Sequence, residues 1–134
     1  MANAKAKNIA LWIGQIVLGA FYIMQSIPKL TSDAEVIANF QRWGMPGGFH
    51  YVVGGVELFG GLLLCFRPTA AFSALGLILL MMGAAVTHLI HGDGAMVLLP
   101  LVPLLLLAVI AYYRRPGAAN PGILAGAART KNDA

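Results

Sequence analysis

The sequence has 134 residues, of which 59% are hydrophobic and only 10% are charged, and its formal net charge is +4. A chain this apolar cannot hide its hydrophobic residues inside one small soluble core, so the composition predicts a single-domain integral membrane protein. The single cysteine, Cys65, excludes an internal disulfide and a CxxC redox pair.

Three apolar runs are long enough to cross about 30 Å of hydrocarbon as helices. A fourth and shorter run, around Glu57, becomes a span if it extends by a turn toward Gly48. The four predicted spans cover residues 9–30, 48–66, 69–90 and 95–113. We therefore predict an all-α fold: an integral membrane four-helix bundle over residues 1–116, followed by a flexible cytoplasmic tail, residues 117–134.

The basic residues are distributed unevenly over the two sides of this topology. Lys29 and Arg42 lie on one side, and the other side holds Lys5, Lys7, Arg67, Arg114, Arg115, Arg129 and Lys131. Cytoplasmic loops carry the excess of Lys and Arg, so both termini are predicted to be cytoplasmic, in a plasma or inner membrane. This distribution argues against nucleic acid as a partner, and the lipid bilayer is the expected one.

The first span carries one polar face. Its members recur at helical spacing and are Gln15, Gly19, Tyr22, Ser26 and Lys29, with Gln25 beside them. A polar stripe facing lipid would be costly, so we expect this face to point into the bundle. Lys29, at its outer end, is either part of a buried site or a lysine that snorkels to the interface.

A short amphipathic segment connects the first two spans. Residues 32–35 have the form of a capping box that begins at Ser32, and Val36, Ile37, Phe40 and Trp43 follow on one helical face. About three turns are too few to cross a membrane. The segment is predicted to be a short interfacial helix at the outer face, where it either roofs a site or is a plain surface connector.

The second span contains a carboxylate, Glu57, inside an apolar run. An acid near the bilayer centre costs roughly 2.5–3.5 kcal/mol, so it persists only against a partner or a wet cavity. Gly54 and Gly61 flank Glu57 on one helix face, where a neighbouring helix can approach closely. Glu57 is therefore predicted to meet a partner on another helix.

The third span ends in two histidines, His88 and His91, at the same level as Lys29. These residues predict an outer polar cluster of Lys29, Glu57, His88, Gln25 and Tyr22, with His91, Gln15 and Ser26 as secondary members. The cluster is either an ion pair that fixes helix register, a pocket for a polar headgroup, or a proton-relaying site. A metal site from His88, His91 and Asp93 is a weaker alternative, and no residue is assigned a catalytic role.

Several residues together resemble the DoxX-like family of small four-helix membrane proteins. They are Gly19, Phe21, Lys29 and Leu30 in the first span, the GxxELxGG pattern from Gly54 to Gly61 in the second, and an alanine-rich third span ending in His88. The resemblance implies a four-helix bundle. It also implies relatives tied to quinone-linked sulfur oxidation, to membrane oxidoreductase complexes or to the assembly of other membrane proteins.

Three functions are compatible with these features. The first is a non-catalytic accessory subunit that binds a quinone or lipid beside a membrane redox partner. The second is a small proton-coupled carrier, for which four helices suggest a homodimer, and the third is an assembly factor for other membrane proteins. The sequence has no thiol pair and no haem motif, so we expect no intrinsic cofactor and no redox enzyme activity of the chain on its own.

Overall fold

The computed structural model describes residues 2–118, and over this range the chain is helical with no strand. Its α-helices are α1 Ala2–Leu30, α2 Ala34–Arg42, α3 Phe49–Leu64, α4 Arg67–Ile90 and α5 Leu98–Arg114, and a 3₁₀ turn, Gly94–Val97, precedes α5. The prediction of an all-α chain with long apolar helices is confirmed. The predicted tail, residues 117–134, lies outside the described residues except for 117 and 118.

The four longer helices alternate in direction. α1 packs along α3, α3 along α4 and α4 along α5. α1 and α3 are antiparallel, because Gln15 bonds to the carbonyl oxygen of Leu64 while Lys29 meets Glu57. We call the end of the bundle that holds Lys29, α2 and the α4–α5 connection the Lys29 end, and the opposite end the Arg114 end.

Two glycines let the backbones of α1 and α3 touch. A Cβ atom on Gly61 would lie 2.7 Å from the carbonyl oxygen of Gly19, and one on Gly19 would lie 2.8 Å from the carbonyl oxygen of Gly61. No side chain fits at either position. Small residues allow such close approach between membrane helices, and here the contact fixes how α1 and α3 are aligned.

The bundle has a narrow core and an apolar exterior. Its fully buried side chains include Leu64, Leu77 and Leu107. Many large apolar side chains point outward, and examples are Val17, Met24, Phe59, Phe72, Leu79 and Leu105. An exterior of this kind is expected where lipid tails replace water as the solvent.

Three stretches are long and apolar enough to cross a membrane: Ala2–Leu30, Arg67–Ile90 and Gly94–Arg114. α3 is apolar but shorter, with 16 residues, which corresponds to about 24 Å of helix. Several membrane-length helices in one chain indicate a multi-pass membrane protein.

The short helix α2 begins one residue later than the capping box predicts. Its N-cap is Asp33, whose side chain accepts hydrogen bonds from the backbone N–H groups of Glu35 and Val36. Ser32 instead has a positive φ of 55°, and its hydroxyl bonds to the ring of His50, at 3.1 Å, and to Tyr51. The turn out of α1 requires a left-handed residue at Ser32, and this geometry prevents it from capping α2.

Candidate functional site

A cavity of about 480 Å³ lies at the Lys29 end, between α2, α3 and α4. Most of its wall is apolar, with Phe40 from α2, Val53 from α3 and Met81 from α4. Its charged or titratable lining residues are Lys29, Glu57 and His88. A mostly apolar hollow with a few convergent polar groups is the usual form of a small-molecule site.

The ion pair in this wall joins α1 to α3. Lys29 Nζ lies 3.0 Å from Glu57 Oε2, and it also donates a hydrogen bond of 3.0 Å to the carbonyl oxygen of Gln25. Glu57 is only 4% exposed. Gly54 brings the helices together here, because a Cβ on Gly54 would lie 2.9 Å from the Cβ of Lys29. The glycine-flanked acid therefore faces a lysine, as a buried carboxylate requires.

The hydrogen-bonding capacity of this pair is not exhausted. Apart from the ion-pair contact with Lys29, Glu57 Oε2 has no hydrogen-bond partner among residues 2–118. The buried hydroxyl of Tyr22 likewise has no partner within that range. Unpartnered buried polar atoms are uncommon, and a bound molecule or water can satisfy them.

A second group of side chains borders the cavity through Trp43 and His88. Arg42 Nη1 lies 2.8 Å from Asp93 Oδ1, while Trp43 Nε1 and His88 Nδ1 lie 3.3 and 2.8 Å from Asp93 Oδ2. The rings of Trp43 and His88 meet edge to face, with centroids 5.2 Å apart. We call these four residues the Asp93 cluster. It ties the end of α2 to the α4–α5 connection.

The Asp93 cluster also sets the charge state of its carboxylate. Hydrogen bonds from Arg42 and then from His88 hold the pKa of Asp93 well below its usual range. The same Asp93 hydrogen bond raises the pKa of Arg42. The cluster therefore carries an ionised carboxylate at neutral pH, and α2 is held over the cavity partly by charge.

The structure brings some of the predicted site residues together and separates others. Lys29, Glu57 and His88 line one cavity, and Tyr22 is buried in the core without lining it. The side chain of Gln25 is exposed, so that only its carbonyl oxygen takes part. The hydroxyl of Ser26 donates to the carbonyl oxygen of Ile23 within its own helix.

Two of the secondary members do not belong to this site. His91 is exposed, and its ring bonds at 2.8 Å to the carbonyl oxygen of Thr87, so it closes the helix end. The bond of its ring to Thr87 O argues against the predicted three-ligand set, and no group of three or more metal-ligating side chains is found within residues 2–118. Gln15 lies at the Arg114 end, because it bonds to Leu64 O and to Arg114, whereas the other end of the polar stripe reaches Lys29.

At the Arg114 end Gln15 belongs to a network that the sequence did not predict. Its amide donates to Leu64 O at 3.0 Å and accepts from Arg114 Nε at 2.7 Å. Arg114 Nη1 donates to Asn8 Oδ1 at 3.0 Å. The sequence contained one signal for this network. Gln15 is a polar residue on the inward face of the first span, and it lies at the same level as Arg114 at the end of the fourth span.

The Asp93 cluster was also missed as a unit. The sequence contained a signal for this cluster as well. Arg42 and Asp93 have opposite charges, and they lie in two connections on the same side of the predicted bundle. Trp43 was predicted only as part of the apolar face of the short interfacial helix, and His50, which is buried beside Ser32 and Tyr51, was not singled out.

A family model described as the DoxX-like family matches residues 13–110 of the chain. This match confirms the resemblance drawn from the sequence, and it includes Lys29, Glu57 and His88. No curated protein and no solved structure matches the chain.

Proposed function

Because the chain belongs to the DoxX-like family, we propose that this multi-pass membrane protein binds the head of a quinone at the Lys29 end. In this proposal it is an accessory subunit of a quinone-linked membrane redox system, non-catalytic in the sense that it transfers no electrons itself. The partner supplies the electron-transfer chemistry, and this chain holds the ring.

The observation that carries the proposal is a buried ion pair in the wall of an otherwise apolar cavity. The ammonium group of Lys29 is a donor for a quinone carbonyl, and the apolar wall accommodates the ring and the start of an isoprenoid tail. A cavity of about 480 Å³ falls within the range of roughly 300–1,000 Å³ that is usual for ligand sites. An ion pair that served only to align α1 and α3 would not need to face a cavity.

The proton chemistry of a quinone also suits these residues. Quinone reduction consumes protons, and a carboxylate or an imidazole at the ring can accept and donate them. Glu57 and His88 both line the cavity. We propose that Glu57 and His88 exchange protons with the bound ring while the redox partner exchanges its electrons.

We further propose that α3 is a fourth span and that α2 lies at the outer interface. α3 packs against both α1 and α4, and a span shorter than the hydrocarbon is tolerated at a modest cost in local thinning. The excess of basic residues at the Arg114 end supports cytoplasmic termini. Cysteine labelling in a Cys65→Ser background, at the exposed Glu35 and Lys5, tests this orientation. Labelling of position 5 by an impermeant reagent in intact cells would contradict it.

The test of the ligand uses the purified protein in lipid nanodiscs. Trp43 lines the cavity, so a short-chain quinone bound there should quench its fluorescence in a Trp12→Phe background. Lys29→Met should weaken this quenching, whereas Lys5→Met, at an exposed position far from the cavity, should not. Displacement by a phosphocholine of equal chain length as readily as by quinone would identify the site as a lipid site instead.

Two further results would favour the other functions that the sequence left open. Solute or proton flux through the protein alone in liposomes, abolished by Glu57→Gln, would indicate a carrier. Loss of another membrane protein on deletion of this chain, without any quinone binding by the chain, would indicate an assembly factor.

A further inference from the structure

A second cavity, of about 340 Å³, opens at the Arg114 end between the start of α4 and the end of α5. Its lining includes Arg67, Arg114, Arg115 and the ring of Tyr113. Arg67 and Arg115 are exposed, whereas Arg114 is only 8% exposed. The cavity is therefore bordered by guanidinium groups at both its open and its buried side.

The guanidinium of Arg114 is incompletely satisfied. Nε donates to Gln15 and Nη1 to Asn8, both of which are neutral amides. The buried Nη2 atom has no hydrogen-bond partner among residues 2–118. The ring of Trp12 has its centre 5.3 Å from this guanidinium and stabilises it in part. The unused donor at Nη2 still favours an acceptor there, because burial of a polar group without a hydrogen bond is costly.

No acidic side chain in the described part of the chain lies near these arginines. The acids in residues 2–118 are Asp33, Glu35, Glu57 and Asp93, and all of them belong to the Lys29 end. The Arg114 end adds further positive charge through Lys7, whose Nζ lies 3.7 Å from the centre of the Tyr113 ring. No acidic side chain within residues 2–118 is therefore available to balance the positive charge at this end.

We propose that this cavity binds the phosphate of an anionic phospholipid. The site combines three guanidinium groups, which match phosphate oxygens in geometry, with the positive end of the α4 helix dipole at Arg67. It lies where the apolar spans end, which is the depth of the headgroups. Basic pockets between membrane helices are general sites for such headgroups.

The occupant is a lipid phosphate in this proposal, although free inorganic phosphate offers the same oxygens. The location distinguishes the two, because the Arg115 guanidinium lies 4.1 Å from the centre of the exposed Tyr112 ring, and exposed apolar side chains of α5 such as Val109 continue from there into the membrane region. A headgroup held by the arginines would leave its acyl chains along this surface. Inorganic phosphate would gain nothing from it.

The experiment measures lipid binding to delipidated protein in a neutral detergent by native mass spectrometry. The probes are phosphatidylglycerol, phosphatidylcholine with the same chains, and inorganic phosphate. We expect one phosphatidylglycerol to bind preferentially, and Arg67→Gln and Arg115→Gln each to weaken it by roughly tenfold, as loss of a hydrogen bond to a charged group would. Lys5→Gln, an exposed cation at the same end, is the matched control and should change binding little.

Arg67 and Arg115 were chosen because they are exposed at helix ends, and Arg115 donates its hydrogen bond to the carbonyl oxygen of Tyr112 in the same turn, so their variants should fold. Equal binding of the two lipids, or an equal loss in Lys5→Gln, would overturn the proposal in favour of diffuse surface attraction. Thermal stabilisation by inorganic phosphate with no preference for phosphatidylglycerol would overturn the lipid assignment.

Discussion

Lys29 Nζ and Glu57 Oε2 lie 3.0 Å apart, at the point where Gly54 allows α1 and α3 to approach. The side chains are only 16% and 6% exposed, respectively. Such a pair is weak proof of added stability, because desolvation offsets much of its attraction. Removing one partner is strongly destabilising, however, since the remaining charge is left buried and unpaired.

The first prediction follows from this asymmetry. Lys29→Met and Glu57→Gln should each destabilise the bundle, by roughly 3–5 kcal/mol if the partner stays charged. The double variant should be less damaged than the sum of the two, and closer to the wild type than the worse single variant. Melting temperatures in detergent measure this. Strict additivity would mean that the two residues act independently.

The second prediction concerns the backbone contact between α1 and α3. Gly61→Ala would place a Cβ atom 2.7 Å from the carbonyl oxygen of Gly19, so the helices must separate. We expect a loss of about 1–3 kcal/mol in stability, as in other overpacked cores.

Gly55 in the same helix is the matched control for Gly61. A Cβ on Gly55 would meet nothing within 4 Å, so Gly55→Ala should be neutral, or stabilising by up to roughly 1 kcal/mol through helix propensity. The two variants are compared by thermal unfolding in detergent. A Gly61→Ala protein as stable as Gly55→Ala would contradict the close packing of α1 on α3.

The third prediction is a pH dependence of the Asp93 cluster. The pKa of Asp93 is lower in the folded protein than in the unfolded chain, chiefly through Arg42. Ionised Asp93 therefore stabilises the folded state above its ordinary pKa of about 3.9, and this contribution is lost as the pH falls through the lower folded value. Acid should thus release α2 from the α4–α5 connection.

Fluorescence of Trp43 in a Trp12→Phe background measures this release, because Trp43 bonds to Asp93. In Arg42→Gln the pKa of Asp93 should be depressed less, so the transition should occur at a higher pH than in the wild type. Glu35→Gln changes an exposed acid of the same helix outside the cluster, and it should leave the transition in place. Identical transitions in wild type and Arg42→Gln would exclude the proposed linkage.

Much of the helical pattern was readable in the sequence because the bilayer constrains it. An apolar run of membrane length can cross the bilayer only as a helix or as part of a closed barrel, and a buried carboxylate such as Glu57 needs a partner. The positions of the helix ends were harder to predict from the sequence. α1 begins at Ala2 rather than at residue 9, because Ala and Lys continue a helix into water as readily as apolar residues continue it in lipid.

Side-chain partners across the bundle were harder to predict. Helical periodicity places Gln15 and Lys29 on one face of α1, but it does not say that they serve opposite ends of the bundle. The Asp93 cluster joins two connections far apart in the chain, and its pairing depends on how α2 folds back over the cavity. The left-handed backbone conformation of Ser32 determines that path, and a serine gives no sequence signal for this conformation.

The fourth prediction assigns His88 a direct part in ligand binding. His88 lines the cavity and also bonds to Asp93, so a substitution has two routes to an effect. The substitution acts either by removing the imidazole ring from contact with the ligand or by loosening the positions of Trp43 and α2. Comparison with Asp93→Asn separates these routes, because that variant weakens the cluster and leaves the imidazole in place.

Quinone retained by the protein after gentle extraction is the measurement for this comparison. We expect His88→Asn to lose more quinone than Asp93→Asn, because an amide replaces a titratable ring on the cavity wall while remaining able to hydrogen-bond to Asp93. His91→Asn should retain quinone as the wild type does, since His91 is exposed and bonds only to Thr87 O. Equal losses in His88→Asn and Asp93→Asn would assign His88 to positioning Trp43 and α2. Loss in His91→Asn alone would move the site away from the cavity.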